Sequence, residues 1–355
     1  MKKILKIILL IILVGVIIGS IVACESDSGD LSKNSEDSSA LPEEINFGIL
    51  RVPNEETIAI AEGIFDKYFG EKGIKTNFIV FDSGVDANKA LASGSIDFAT
   101  MGNTNSIIAL SMDIYVEMIW IHEILGEIEG LAVKNGSGIN SIEDLEGEKI
   151  ATPFASTSHF SLLNALKDAE IDDQVQLLDM QTSEIVAAWE RGDIQAAYTW
   201  QPSLGNLLED GEILVSSEEM AKRGYVTANV EVVRKEFAKE YPELVSDFIS
   251  CLTEAADIYR KAPEKASEIV AEELEIKPEE ALEQMKGSIW ATREELLKED
   301  YFGTEEKPGN FTRIMKETSD FLQEQGSIGN SPSQEEFNQY VNPLYIEKSL
   351  ETDFE

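Results

Sequence analysis

From Ile45 onward the chain alternates short apolar runs with amphipathic stretches, and that alternation confines it to α/β layering. INFGILRV (45–52) reads as a strand, NEETIAIAEGIFDKYFG as a helix and TNFIVF (76–81) as a strand. VDANKALASG then reads as a helix closed by Gly94, a residue that accepts the left-handed conformation of a helix end. IDFATM, a helix from Thr104 and IYVEMIWI follow. A second set begins near Gly130 with LAVK, KIATPF (149–154), a helix over STSHFSLLNALKDA, VQLLDM (175–180), a helix over SEIVAAWERG and IQAAYTW (194–200). A shift of 98 residues lays VDANKALASGSIDFA on SEIVAAWERGDIQAA, pairing Ala90 with Ala188, Gly94 with Gly192, Ile96 with Ile194 and Ala99 with Ala197. Two half-molecules built alike are expected. After them Tyr225 to Val233 reads as a strand, and helical periodicity dominates from Phe237 to about residue 325. The expected organisation is two α/β lobes, residues 43–126 with 231–355 and residues 127–230, joined by two crossing strands with a ligand cleft between them.

The 355 residues carry 67 Asp plus Glu against 29 Lys plus Arg, a formal charge of −38. That excess excludes a broad basic surface for phosphates, so no nucleic-acid partner is expected. Two Cys and two His are too few for a disulfide framework or a Cys/His zinc site, and neither a metal nor a cofactor is expected. The chain opens MKKILKIILLIILVGVIIGSIVAC, three Lys followed by apolar and small residues, which is a secretory signal pattern. Residues 1–23 are read as the signal peptide and residues 24–42 as a Ser- and acid-rich flexible tether. Cys251, in FISCLTEAADIY, reads as a lone buried thiol.

In open α/β sheets ligands bind beyond the carboxyl ends of strands, on helix N-termini. Four segments lie there: Arg51 with Asn54 and Glu55, Asp82 with Ser83, the Gly102-Asn103-Thr104-Asn105 loop, and Ser156-Thr157-Ser158-His159. The last two would hold a sulfonate, phosphate or carboxylate from opposite lobes. Each has a structural alternative: hydroxyls at a helix start cap it, Asp82-Ser83-Gly84 makes a turn, and Arg51 forms a surface ion pair. His122 beside Glu123 is a candidate acid/base pair or a satisfied structural histidine. Trp200, at a strand end near Pro202, is placed to wall the cleft. Glu129 and Glu231 lie near the crossings, where a carboxylate can meet an ammonium. P-loop, GxGxxG, nucleophile-elbow and HExxH patterns are missing from the sequence, which weakens enzyme readings.

FDSGVDANKALASGSIDFATMGNTN, KIATPFASTSHFSLLNALK, IVAAWERGDIQAAYTWQP and NVEVVRKEFAKEYPELV together resemble the substrate-binding lipoproteins of ABC importers for taurine and aliphatic sulfonates, in the nitrate/sulfonate/thiamine-precursor-binding superfamily. The resemblance covers about residues 45 to 255. Ile21-Val22-Ala23-Cys24 resembles a bacterial lipobox, which implies cleavage before Cys24, acylation there and a lipid anchor on the extracytoplasmic side. The family implies a type II periplasmic-binding-protein fold whose lobes close on the ligand, docking to a permease with its ATPase, and a monomer. By position, Ser156 and Thr157 with the Asn103/Thr104 loop would hold the anionic head group and Trp200 would line the cleft. The taurine branch has an acid and a Trp where this chain has Asn229 and Glu231, so an amine would be met by Glu231, Glu55 or Glu129. The alternatives are another small anion (nitrate, a sulfate ester), a thiamine precursor, or a related enzyme.

Overall fold

The computed structural model describes residues 40–352. The signal and lipobox readings lie outside the described residues. Among the described residues no helix is long and apolar enough to cross a membrane.

Among the described residues eleven strands form two sheets. The first takes β1 (Glu44–Ile49), β2 (Lys75–Val80), β3 (Phe98–Gly102) and β4 (Val116–Leu125). The chain then passes to the second sheet for β5 (Glu129–Lys134), β6 (Lys149–Thr152), β7 (Gln176–Asp179), β8 (Ala196–Trp200) and β9 (Gly211–Ser216). It returns for β10 (Ala228–Arg234) and a short β11 (Ser288–Ile289). The orders are β11-β4-β10-β3-β1-β2 and β7-β6-β8-β5-β9. Each sheet has a parallel core, β2-β1-β3 or β7-β6-β8, flanked by one antiparallel strand that has just crossed from the other half, β10 or β5. Two crossings therefore join two α/β lobes. Ala228 to Val230 pair within the first sheet, so the return falls three residues before the expected boundary at 231.

The repeat at 98 residues is structural. β3 and β8 occupy equivalent places in the two sheets, and the helices Gly84–Ser93 and Thr182–Arg191 that precede them end at Gly94 (φ 71°) and Gly192 (φ 76°). A non-glycine residue pays a steric penalty at such angles, which explains why both stops are glycine.

The first lobe's core is built on a cluster of phenylalanine rings. Phe47 on β1 lies 5.0 Å from Phe98 on β3 and 5.1 Å from Phe65, and the long helix Pro242–Lys261 brings Phe248 within 4.9 Å of Phe98. The same helix buries Cys251 as a free thiol. The second lobe packs Leu131, Val133, Ile150, Leu162, Ala196 and Tyr198 on one face of its sheet, with Trp189 and Leu204 on the other. β9 and the short helices Ser203–Leu208 and Ser217–Lys222 were not legible as elements. GEILVS is a half-exposed edge strand with only two buried residues, so its apolar alternation is weak. The expected helical run breaks between Leu296 and Asn310, where Gly303, Pro308 and Gly309 interrupt the periodicity, and helices continue to Thr352.

Candidate functional site

The carboxyl ends of the parallel strands in both lobes face one cleft, as doubly wound sheets dictate. It spans about 450 Å³ counted to its mouth, while the space in which a water molecule's centre fits is about 20 Å³. The interior is of water-molecule scale. At the cleft the Ala155 carbonyl accepts two hydrogen bonds from the other lobe, from Asn105 Nδ2 (3.0 Å) and Thr104 Oγ1 (3.3 Å), and at the surface Lys167 pairs with Glu324 across the lobes (3.1 Å). Gly102 permits the approach, because a Cβ there would meet Thr157 Cγ2 at 2.7 Å.

Three helix N-termini line the cleft. Gly84–Ser93 presents Ser83 and Gly84, Asn103–Ser111 presents Gly102 and Asn105, and Thr157–Asp168 presents Ser156 and Thr157. The first two starts have no side-chain cap. In the third, Ser156 Oγ accepts from His159 N (3.1 Å), which leaves the Thr157 and Ser158 amides without an intrahelical acceptor. Orphan amides and three dipole ends on one small space can hold an anion without a cation. Among the described residues lining the cleft there is no Lys, Arg or His, and Glu129 is the one carboxyl.

The expected residues divide clearly. Ser83, Ser156, Thr157, Trp200 and Asn229 line the cleft, and Asn103 and Thr104 open a helix that faces it. The hydroxyls of Thr157 and Ser158 are already donated to Glu129 Oε2 (2.5 and 2.8 Å), and that of Ser156 to the Pro153 carbonyl (2.6 Å). The donors left at this helix start are therefore amides rather than hydroxyls. Ser217 Oγ gives Glu129 Oε1 a further bond (2.6 Å). Burial raises the Glu129 carboxyl above its ordinary value, against the lowering effect of these hydroxyls. His159 stacks on Phe154 at 4.4 Å and accepts from Ala155 N (3.3 Å), and burial holds its imidazole down to about 4. A neutral ring engaged in this way positions the loop and carries no charge for an anion. Arg51 donates to the Glu273 carbonyl (2.7 Å) and shares the cleft's outer mouth with Asp82. Leu50, Val52, Leu125, Ile128 and Gln201 also line the cleft. They follow strand ends or crossings, and nothing local in their sequence distinguishes them from core.

Asn54, Glu55, His122 and Glu231 lie behind the cleft in a buried cluster with Glu56, Thr100, Trp120 and Glu123. His122 Nδ1 stands 3.1 Å from Glu55 Oε1, which accepts from Trp120 Nε1 (2.8 Å), and His122 Nε2 stands 3.0 Å from Glu231 Oε2. Thr100 Oγ1 lies 2.6 Å from Glu56 Oε2 and 2.8 Å from Glu231 Oε2. One hydroxyl carries one proton, so one of those two carboxyls donates to Thr100. Burial, with Glu231 adding to it, pushes the Glu56 carboxyl up to about 8, and burial with Glu55 does the same for Glu123. For His122 burial pulls down, but Glu55 and Glu231 outweigh it and the imidazole is raised well above its ordinary value. Asn229 joins the two regions: it lines the cleft and donates to Glu123 Oε1 (2.6 Å).

Solved proteins share this architecture. The aliphatic sulphonate binding protein SsuA from Escherichia coli superposes with a TM-score of 0.68 at 18% identity, covering 85% of this chain and 92% of its own. The desulfurization enzyme DSZB superposes with a TM-score of 0.64 at 17% identity, covering 88% of this chain and all of its own. The fold is the type II periplasmic-binding-protein fold, which hosts binders and enzymes alike. Residues 50–260 match the family described as the substrate binding domain of the ABC-type glycine betaine transport system. The chain is 34% identical over 299 residues to the taurine-binding periplasmic protein of Escherichia coli strain K12, covering 82% of this chain and 88% of that one. It belongs to this family of ABC-importer substrate-binding proteins.

Proposed function

We propose that this protein captures taurine or a closely related small organosulfonate in the interlobe cleft and delivers it to an ABC permease. The observation that carries the reading is the convergence of three helix N-termini, two of them uncapped, on a small cleft without a basic side chain. A sulfonate offers three acceptor oxygens to such amides, and an unpaired buried donor would cost the wrong ligand about 1 to 3 kcal/mol. Trp200 is the single aromatic among the described residues lining the cleft, so no aromatic cage for a quaternary ammonium is built there. The 34% identical taurine-binding relative supports the same ligand class.

Of the three acids weighed for the ligand's amine, Glu129 is the one that reaches the cleft, whereas Glu55 and Glu231 are enclosed in the cluster behind it. We assign the ammonium to Glu129. No bond is made or broken: the ligand bridges both lobes and shifts the population toward the closed form. The lipobox at Cys24 supports a lipid anchor on the extracytoplasmic face, with a monomer presenting the cleft to the permease.

Thermal-shift and calorimetric titration of the full chain in detergent with taurine, ethanesulfonate, nitrate, glycine betaine and a thiamine pyrimidine tests the assignment. Taurine at a hundred times its Kd should add about 2.7 kcal/mol of stability. No stabilisation by any organosulfonate would refute the reading. For the anchor, palmitate labelling should disappear in Cys24→Ala; persistent labelling would refute it.

A further inference from the structure

Glu55, Glu56, His122 and Glu231 do not line the cleft, and the hydrogen bonds of protein groups leave part of their cluster unmet. Glu55 Oε2, Glu56 Oε1 and Glu231 Oε1 are buried without a hydrogen-bond partner. The three residues are at most 1% exposed, and no Lys or Arg among the described residues pairs with any of the three. We propose that Glu56, His122 and Glu231 form a buried site for a divalent transition-metal ion of the zinc class.

One donor atom from each of the three lies within 4.8 Å of the others. His122 faces Glu55 through Nδ1 (3.1 Å), and Glu55 is fixed in turn by Trp120 Nε1. That is the carboxylate–histidine arrangement that sets the tautomer and orientation of a metal-ligating imidazole. His122 Nε2 stands 3.0 Å from Glu231 Oε2, and a positive species, a proton or a metal ion, must stand between them. A proton serves one pair of acceptors. A dication serves several at once, including the two orphan oxygens of Glu56 and Glu231 that a proton at Nε2 would leave unmet. One imidazole and two carboxylates are a zinc donor set, whereas calcium and magnesium favour all-oxygen shells. Bonds of about 2.0 to 2.2 Å place ligand atoms roughly 3.4 Å apart, so the closest pair must open by a few tenths of an ångström and wider pairs, which reach up to 4.8 Å, must close. Burial then becomes favourable, because the ion's charge offsets that of the carboxylates.

The test uses the full chain stripped with EDTA, loaded with Zn²⁺ and passed through a weak chelator, since an exterior of formal charge −38 holds dications loosely. Elemental analysis should find one retained zinc per chain, with a raised Tm. Glu56→Gln and Glu231→Gln should each abolish both, while Glu299→Gln, an exposed carboxylate distant from the cluster, should change neither. Zinc that fails to be retained by folded wild-type protein, or that is retained undiminished in both cluster variants, overturns the proposal. Should the variants not fold, X-ray absorption of zinc-loaded wild type decides: a first shell with one imidazole and oxygen donors supports the site, and a shell without imidazole overturns it.

Discussion

Single side chains in the second lobe do structural work that ligand binding depends on. Ser156 caps the helix whose free amides face the cleft. Ser156→Ala should cost about 1 kcal/mol in urea denaturation, and it should weaken organosulfonate binding as the first turn frays. Glu129→Gln keeps shape but loses charge. Calorimetry should show taurine affinity falling about tenfold or more, consistent with loss of a charged hydrogen bond, while ethanesulfonate affinity changes much less. Equal losses for both would remove Glu129 from the role of amine acceptor. His159 gives a pH signature. Its folded value of about 4 lies below the ordinary 6.5, so between those limits the unfolded chain binds a proton that the folded chain refuses. Stability is complete above pH 6.5 and falls as pH drops, by up to about 1.4 kcal/mol per pH unit from this group. Urea denaturation from pH 7 to 4.5 should show a shallower decline for His159→Gln than for wild type.

Helix starts and close backbone approaches govern the element scale. Gly102 caps the helix Asn103–Ser111 at an ordinary φ of −63°, so alanine fits the backbone and its cost is steric. The clash, with Thr157 Cγ2 at 2.7 Å, is with the other lobe. Gly102→Ala should therefore leave the melting of the ligand-free protein nearly unchanged, yet lower ligand affinity by about tenfold or more, because the closed form is disfavoured. Gly84 provides the contrast: its added Cβ would strike the Asn105 side chain at 2.5 Å within the same lobe. Gly84→Ala should reduce stability with or without ligand, as thermal denaturation would show.

For the whole molecule, closure couples the two lobes through a few polar contacts. Asn105→Ala removes the stronger of the two hydrogen bonds to the Ala155 carbonyl. The variant should favour the open form, with a larger radius of gyration in X-ray scattering without ligand and recovery of the compact form at saturating taurine. The acidic exterior contributes nothing attractive to an anion, since the formal charge of −38 opposes its approach. In the proposed function, capture depends on local dipoles in a cleft shielded from that surface.

Local periodicity and glycine stops determined the α/β layering, the repeat and nearly every strand of the parallel cores, because those signals reside in neighbouring residues. The motif segments at Gly102 and Ser156 marked helix starts that line the cleft for the same reason: a strand end followed by a helix start is a local event. Tertiary structure decided which candidates share a space. Strand order brings Glu56, His122 and Glu231 together from three distant stretches and encloses them, while Glu129 alone among the acids weighed reaches the cleft. The sequence counted Cys and His for metals and could not weigh carboxylates, since a Glu on the surface and a Glu at zero exposure are the same letter. It also could not show that the Thr157 and Ser158 hydroxyls are spent on Glu129, leaving amides for the ligand, because that depends on how two lobes of a closed molecule meet.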